Sequence, residues 1–322
     1  EIEPDYETWK EYAYKKGVHA SVMTYLAARK KDFYKIENAA DGKHFVTARG
    51  WDDLSEMIKL YEENGLAVDE QLICQYLQDA RISKDFAIYY DLFNKYRSDY
   101  QVEKILDGTV SESIVLRAER ASMDERLSLL GLIFDSVTAQ LRTVCERENI
   151  LDLVTGQLKT LKEKLKDVSG AAALLSEMIE AEREKLERGK QSSSISPQTQ
   201  RETRFMLEYL EEFRAAVMQS GTAQKDEFSV VRESFAQKVA ELKGLAADGG
   251  RALENVFSFC EKAFADGDEI LIFVTELTAN YYSARFIGRY GCDRYYMHNK
   301  QLQFDQRQQE IIKRMDEIQW TV

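Results

Sequence analysis

Arg49 stands in the stretch Phe45-Val46-Thr47-Ala48-Arg49-Gly50-Trp51, where a short extended segment passes into an amphipathic helix. A guanidinium at such a joint can meet a phosphate with two parallel hydrogen bonds. It also suits the solvated first turn of a helix. A second group of chemically able residues lies between Tyr281 and Tyr296, where Arg285, Arg289, Arg294, Tyr295 and Tyr296 surround Gly288 and Gly291. Tyrosine and arginine together are common at protein interfaces, and they also stack on bases. The same residues can pack helices together with tyrosine hydroxyls turned outward. If this patch is a binding surface, the acidic balance of the chain points to a protein partner rather than nucleic acid.

Other constellations carry less. No G-x-x-x-x-G-K-[ST] phosphate loop occurs. Asp248-Gly249-Gly250-Arg251 reads as a glycine turn ahead of a helix. Ile270 to Glu276 superficially resembles a strand ending in a metal-positioning acid. The spacing of Ile270, Phe273, Val274 and Leu277 nevertheless predicts a core helix, with Asp268 as its N-cap. His19, His44 and His298 have no ligand spacing with cysteine or carboxylate, so they read as cap, surface or packing residues, and no metal site is expected. Asp52-Asp53 opens a helix, where acids complement the dipole. Glu180 to Lys190 reads as a solvated face. A helical carboxylate–metal enzyme would need paired Glu-x-x-His motifs, and none is present.

The elements that must position these residues are helices. Asp5 starts one that Gly17 stops, and a second covers about His19 to Lys31. Phe33–Ile36 and Lys43–Val46, with Asp41-Gly42 between them, predict a short hairpin. Trp51 to Asn64 is amphipathic, Asp69 caps the next helix, and Ser83 to Tyr100 follows. Gly108 and Ser111 or Ser113 mark a domain boundary, giving residues 1–107 and 108–322. Met123 to Val168 predicts one very long helix. Leu130, Val137, Val144, Leu151, Leu158 and Leu165 recur along it every seven residues, while the companion apolar line changes side at Glu148, so the helix changes packing partner midway. Further helices are expected over Ala171–Gly189, Gln198–Gln219, Ala223–Leu245, Arg251–Ala265, Asp268–Arg289 and Asn299–Gln319. The fold class is therefore all-α: a small helical domain with a minor hairpin, then a long-helix bundle or antiparallel array.

Composition agrees. Two prolines in 322 residues are few for a globular chain, where about 5% is usual. A net charge of −12 and a pI near 5.0 disfavour broad binding to nucleic acid or anionic membranes. Cys74, Cys145, Cys260 and Cys292 are widely spaced and suit a reducing, cytoplasmic setting. No membrane span is expected. The abrupt opening Glu1-Ile2-Glu3-Pro4 suggests a segment cut from a longer protein.

Gly17-Val18-His19, Tyr25-Leu26-Ala27-Ala28, Asp32-Phe33-Tyr34-Lys35-Ile36 and the Phe45–Trp51 stretch together resemble the small helical lid of MoxR-like AAA+ ATPases. In that family an aromatic-x-Thr-Pro-Arg-x-Trp segment carries a nucleotide-sensing arginine; here Ala48 stands where proline is common. The resemblance covers about the first 105 residues, and residues 108–322 look like an extension. It implies that Arg49 senses ATP held, with Mg²⁺, by a core domain absent from this chain. It further implies neighbouring subunits in a ring oligomer, ATP-driven remodelling or maturation of other proteins, and partners of the von Willebrand factor A type. The chain by itself should not hydrolyse ATP, since nothing in it can cradle phosphates or hold magnesium. The alternative is a helical scaffold or adaptor that binds a protein partner without nucleotide.

Overall fold

Helix boundaries follow from local chemistry. Asp5 accepts a hydrogen bond from Thr8 N at 2.8 Å and opens α1 (Tyr6–Lys16); Gly17, at φ +75°, closes it with its N–H on Ala13 O. In this computed structural model residues 4–39, 42–165, 170–192, 194–221, 223, 226–265 and 267–300 are described. The helix expected over Asn299–Gln319 lies almost wholly outside them, as do Asp41 and the end of the long helix at Val168.

His19 caps α2 (Ala20–Ala28), and a 3-10 turn at Lys30–Asp32 leads to β1 (Lys35–Ala39) and β2 (Gly42–Val46), which pair antiparallel with Ile36 opposite Phe45. α3 (Ala48–Glu63), α4 (Glu70–Tyr76), α5 (Ala80–Asp99), α6 (Val102–Leu106) and α7 (Glu112–Arg120) follow. Then come α8 (Met123–Lys164), α9 (Ala171–Gln191), α10 (Pro197–Ser220), α11 (Glu227–Ala263), α12 (Glu269–Ala279) and α13 (Tyr281–Tyr290). Residues 293–300 are helical as well. The protein is all-α with one minor hairpin.

Two helix expectations are corrected. Gly249-Gly250 does not break the chain; both residues lie inside the continuous α11. The expected single helix over Asp268–Arg289 is instead two, because the Asn280 carboxamide oxygen accepts Tyr282 N at 3.0 Å and Ser283 N at 3.1 Å, which caps α13 and ends α12. α8 contains a window long and apolar enough to cross a membrane by length and composition, although more than half of it is buried here.

Backbone contacts divide the chain into two units, residues 1–139 with 250–322 and residues 140–249. This division differs from the boundary at 107/108, for a physical reason. Tyr6 to Tyr90 supply one apolar cluster around Trp51, Tyr25 and Phe86. Phe93, Tyr100, Val102, Ile105 and Leu106 belong to another, shared with Leu129–Val137 of α8, Leu253–Phe264 of α11 and its surroundings, and Phe273 of α12. The residues just before Gly108 therefore bury against later helices rather than closing a domain. α8 does change packing partner. Up to Val137 its apolar residues enter that cluster, and from Ile150 to Leu161 they enter a third, made with α9, α10 and the first part of α11. This third cluster is the core of residues 140–249, a helical bundle in which α9 and α10 pair closely.

Candidate functional site

The Arg49 joint is fixed on every side but one. Phe45 exchanges two backbone hydrogen bonds with Gln78, N to O and O to N, each 3.0 Å, and so ties the hairpin to the chain beyond α4. Val46 is fully buried. Thr47, extended at φ −134° and ψ 159°, caps α3, its Oγ1 accepting from Gly50 N at 3.1 Å. Trp51 is fully buried, donates Nε1–H to Asp32 O at 3.3 Å, and packs edge-on against Phe86 at 5.3 Å. Arg49 points outward from this frame. Its side chain is 88% exposed, and its Nε makes one long contact, 3.4 Å, to Asp53 Oδ2 one turn on.

Asp32 lies under the joint, against Trp51, and further polar ties hold the surrounding helices. Asp32 is buried and accepts from Tyr25 Oη at 3.0 Å and from Arg81 Nη2 at 2.8 Å. His19 Nδ1 faces Ser21 Oγ at 2.7 Å and accepts from Ser21 N at 3.3 Å, which leaves Nε2 as the donor to Glu62 Oε2 at 3.2 Å. Tyr90 donates to the other Glu62 oxygen at 2.7 Å. Burial pushes the Glu62 carboxyl up, but the hydrogen bonds from His19 and Tyr90 and nearby positive charge outweigh it and hold the carboxyl below its ordinary value. Glu276, the acid that ended the strand-like run, sits on α12 and accepts from Lys10 Nζ at 2.7 Å and from Tyr14 Oη. Burial, then the Glu276 charge, pushes the Tyr14 hydroxyl well above its ordinary range. Asp52 is bound by Lys16 at 2.5 Å. These pairs tie α1, α2, α3, α5 and α12 to one another.

The tyrosine and arginine run divides into an inner and an outer set. Arg294 Nε meets Glu254 Oε2 at 3.1 Å, and its Nη1 meets Glu261. Tyr295 is buried with its hydroxyl 2.9 Å from Thr278 Oγ1. His298 stacks on Phe257, centroids 5.7 Å apart, and reaches Glu261 Oε1 at 3.0 Å. The outer set comprises Tyr281, Arg289, Tyr290, Tyr296 and Met297; Arg285 is half-buried on α13. Arg49 and this run are thus separate sites: the first is joined to the hairpin, the second to α11 and α12. Of His44 only the backbone, in β2, is described. Among the described residues no cluster of three or more histidine, cysteine or acidic side chains is placed to hold a metal ion.

Sequence reasoning missed the buried Asp32 and the surface Glu62, whose partners lie 49 and 43 residues away, at Arg81 and His19. The signal that could have found Asp32 is its place between the Tyr25 helix and the hairpin within the resembling stretch. No family model matches this chain, and no match to it is found among the curated proteins or the solved structures.

Proposed function

We infer that the segment around Arg49 is the nucleotide-sensing lid of a MoxR-like AAA+ ATPase, and that the helices beyond it couple nucleotide state to the remodelling or maturation of a partner protein. The observation that supports this most directly is the outward guanidinium on a joint whose other residues are pinned: a phosphate would compete only with a 3.4 Å contact to Asp53. ATP with Mg²⁺, held by the core domain of such an ATPase, supplies the anionic charge and its loss. Arg49 supplies a differential contact, and the ties through Thr47, Trp51 and Asp32 make the hairpin and α3 respond as one piece. Ring-forming neighbours and von Willebrand factor A-type partners belong to the same proposal.

The test uses the protein carrying its ATPase core. Arg49→Ala lowers steady-state ATP turnover about 10-fold or more, as expected for a charge-assisted contact worth ~1.5–3 kcal/mol. Unchanged turnover together with unchanged nucleotide affinity rejects the role, and so does a gene with no phosphate loop upstream of this segment.

The second reading, an adaptor working without nucleotide, is favoured by the exposure of Tyr281, Tyr290, Tyr296 and Met297. It requires that Tyr290→Ala and Tyr296→Ala weaken partner binding equally with and without ATP.

A further inference from the structure

Residues 140–249 contain an open cleft of about 290 Å³ between α8, α10 and the first part of α11. That is just under the ~300–1,000 Å³ range of small-molecule sites, room for a small ligand only. Its apolar lining comes from Leu151, Phe205, Leu242 and Leu245. Tyr209, nearly buried, stands between two cations: Lys238 Nζ lies 4.6 Å from the ring centre, and the Arg147 guanidinium 6.0 Å from it. Their situations differ. Lys238 is neutralised by Glu212 at 2.8 Å, with Glu241 at 3.9 Å. Arg147 is half-buried, lies 5.2 Å from the Phe205 ring centre, and spends one N–H on Tyr209 Oη at 2.6 Å. Among the described residues no carboxylate lies within ion-pair distance of it. A guanidinium has five donors and is seldom withdrawn from water without an anion. Here it is already oriented by two rings, with its remaining donors at a cleft.

We propose that this cleft binds an apolar monocarboxylate whose carboxylate pairs with Arg147 and whose ring or chain lies on Leu151, Phe205 and Leu242. Glu208 and Glu241, exposed at the rim, select against a second negative charge, so phosphates and dicarboxylates are disfavoured. Phe205 and the Arg147 plane favour an aromatic acid, which can stack while its carboxylate is held.

The probe is 3-phenylpropanoate, titrated calorimetrically into the full chain beside its neutral amide. The acid binds about 10-fold or more tightly than the amide, in line with a charge-assisted pair. Arg147→Met removes that preference while helicity is retained, and Arg147→Lys keeps part of it. Because Arg147 also supports Tyr209, Glu208→Gln gives a second reading from an exposed rim position: it tightens acid binding about 2- to 5-fold and leaves the amide unchanged. Equal binding of acid and amide, a preference that survives Arg147→Met, no acid binding up to about 10 mM, or displacement by equimolar inorganic phosphate each overturns the assignment.

Discussion

A Cβ atom built on Gly50 would stand 2.7 Å from the main-chain oxygen of Tyr76. The first turn of α3 therefore approaches the last residue of α4 with no room for a side chain, and the obstacle is backbone. Gly50→Ala must displace one helix end, at a cost of ~1–3 kcal/mol. Urea unfolding followed through tryptophan emission, to which the buried Trp51 contributes, should show an earlier midpoint. An unchanged midpoint would mean that the approach is not tight.

Ala48 gives the opposite expectation next door. It is the first residue of α3, where a backbone N–H has no partner within the helix, and Thr47 before it is already extended. Proline satisfies both conditions. Ala48→Pro should stabilise by ~0.4–1 kcal/mol through the unfolded chain, read as a later urea midpoint in the same assay. Destabilisation would show that the ring collides with the hairpin.

Gly131 on α8 lies so close to α2 that an added Cβ would overlap Thr24 Cγ2 at 1.9 Å. Thr24 cannot simply rotate away, since its Oγ1 donates to Ala20 O at 2.8 Å and accepts from Tyr89 Oη at 2.7 Å. Gly131→Ala is expected to cost ~1–3 kcal/mol, and the double change with Thr24→Ser should recover part of it by deleting the methyl. Additive losses in the double variant would place the strain elsewhere.

Acid should loosen the Glu62 tie. Its folded carboxyl titrates below the ordinary value of 4.5, so the unfolded chain takes up the proton first. The contribution is fully present above pH 4.5 and is lost as pH falls through the depressed folded value. Glu62→Gln should accordingly be less stable than the parent at pH 7, and the gap should narrow below pH 4.5 as denaturation midpoints are compared across pH. A gap that stays constant with pH would exclude this tie as a source of acid sensitivity.

Much of this architecture could be read from short-range chemistry. Asp5 and Asp69 cap helices because their side chains reach N–H groups three residues on, a relation contained within the local sequence. Gly17 stops α1 for an equally local reason. What escaped reading depended on distant partners. Gly249-Gly250 looked like a break, yet a glycine costs only about 1 kcal/mol in a helix, and burial of Ala246 on one side and Leu253 and Val256 on the other offsets that within α11. Asn280 was hidden inside an apolar run whose period continued through it. The exposure of Arg49 was legible from its place in a first turn. The setting of Arg147 was not, because rings on α10 orient it and Glu212 attends to Lys238 instead.

The apolar cluster that joins Leu129–Val137 to Leu253–Phe257 and Phe273 draws on segments separated by all of residues 140–249. On a ribosome the intervening bundle, contiguous in sequence, emerges whole and can close before this cluster does. The earlier helices wait with Phe93, Tyr100 and Ile105 uncovered until α11 and α12 are made. Synthesis stalled before residue 250 should therefore leave a nascent chain that is half native and half adhesive, a natural client for holding chaperones.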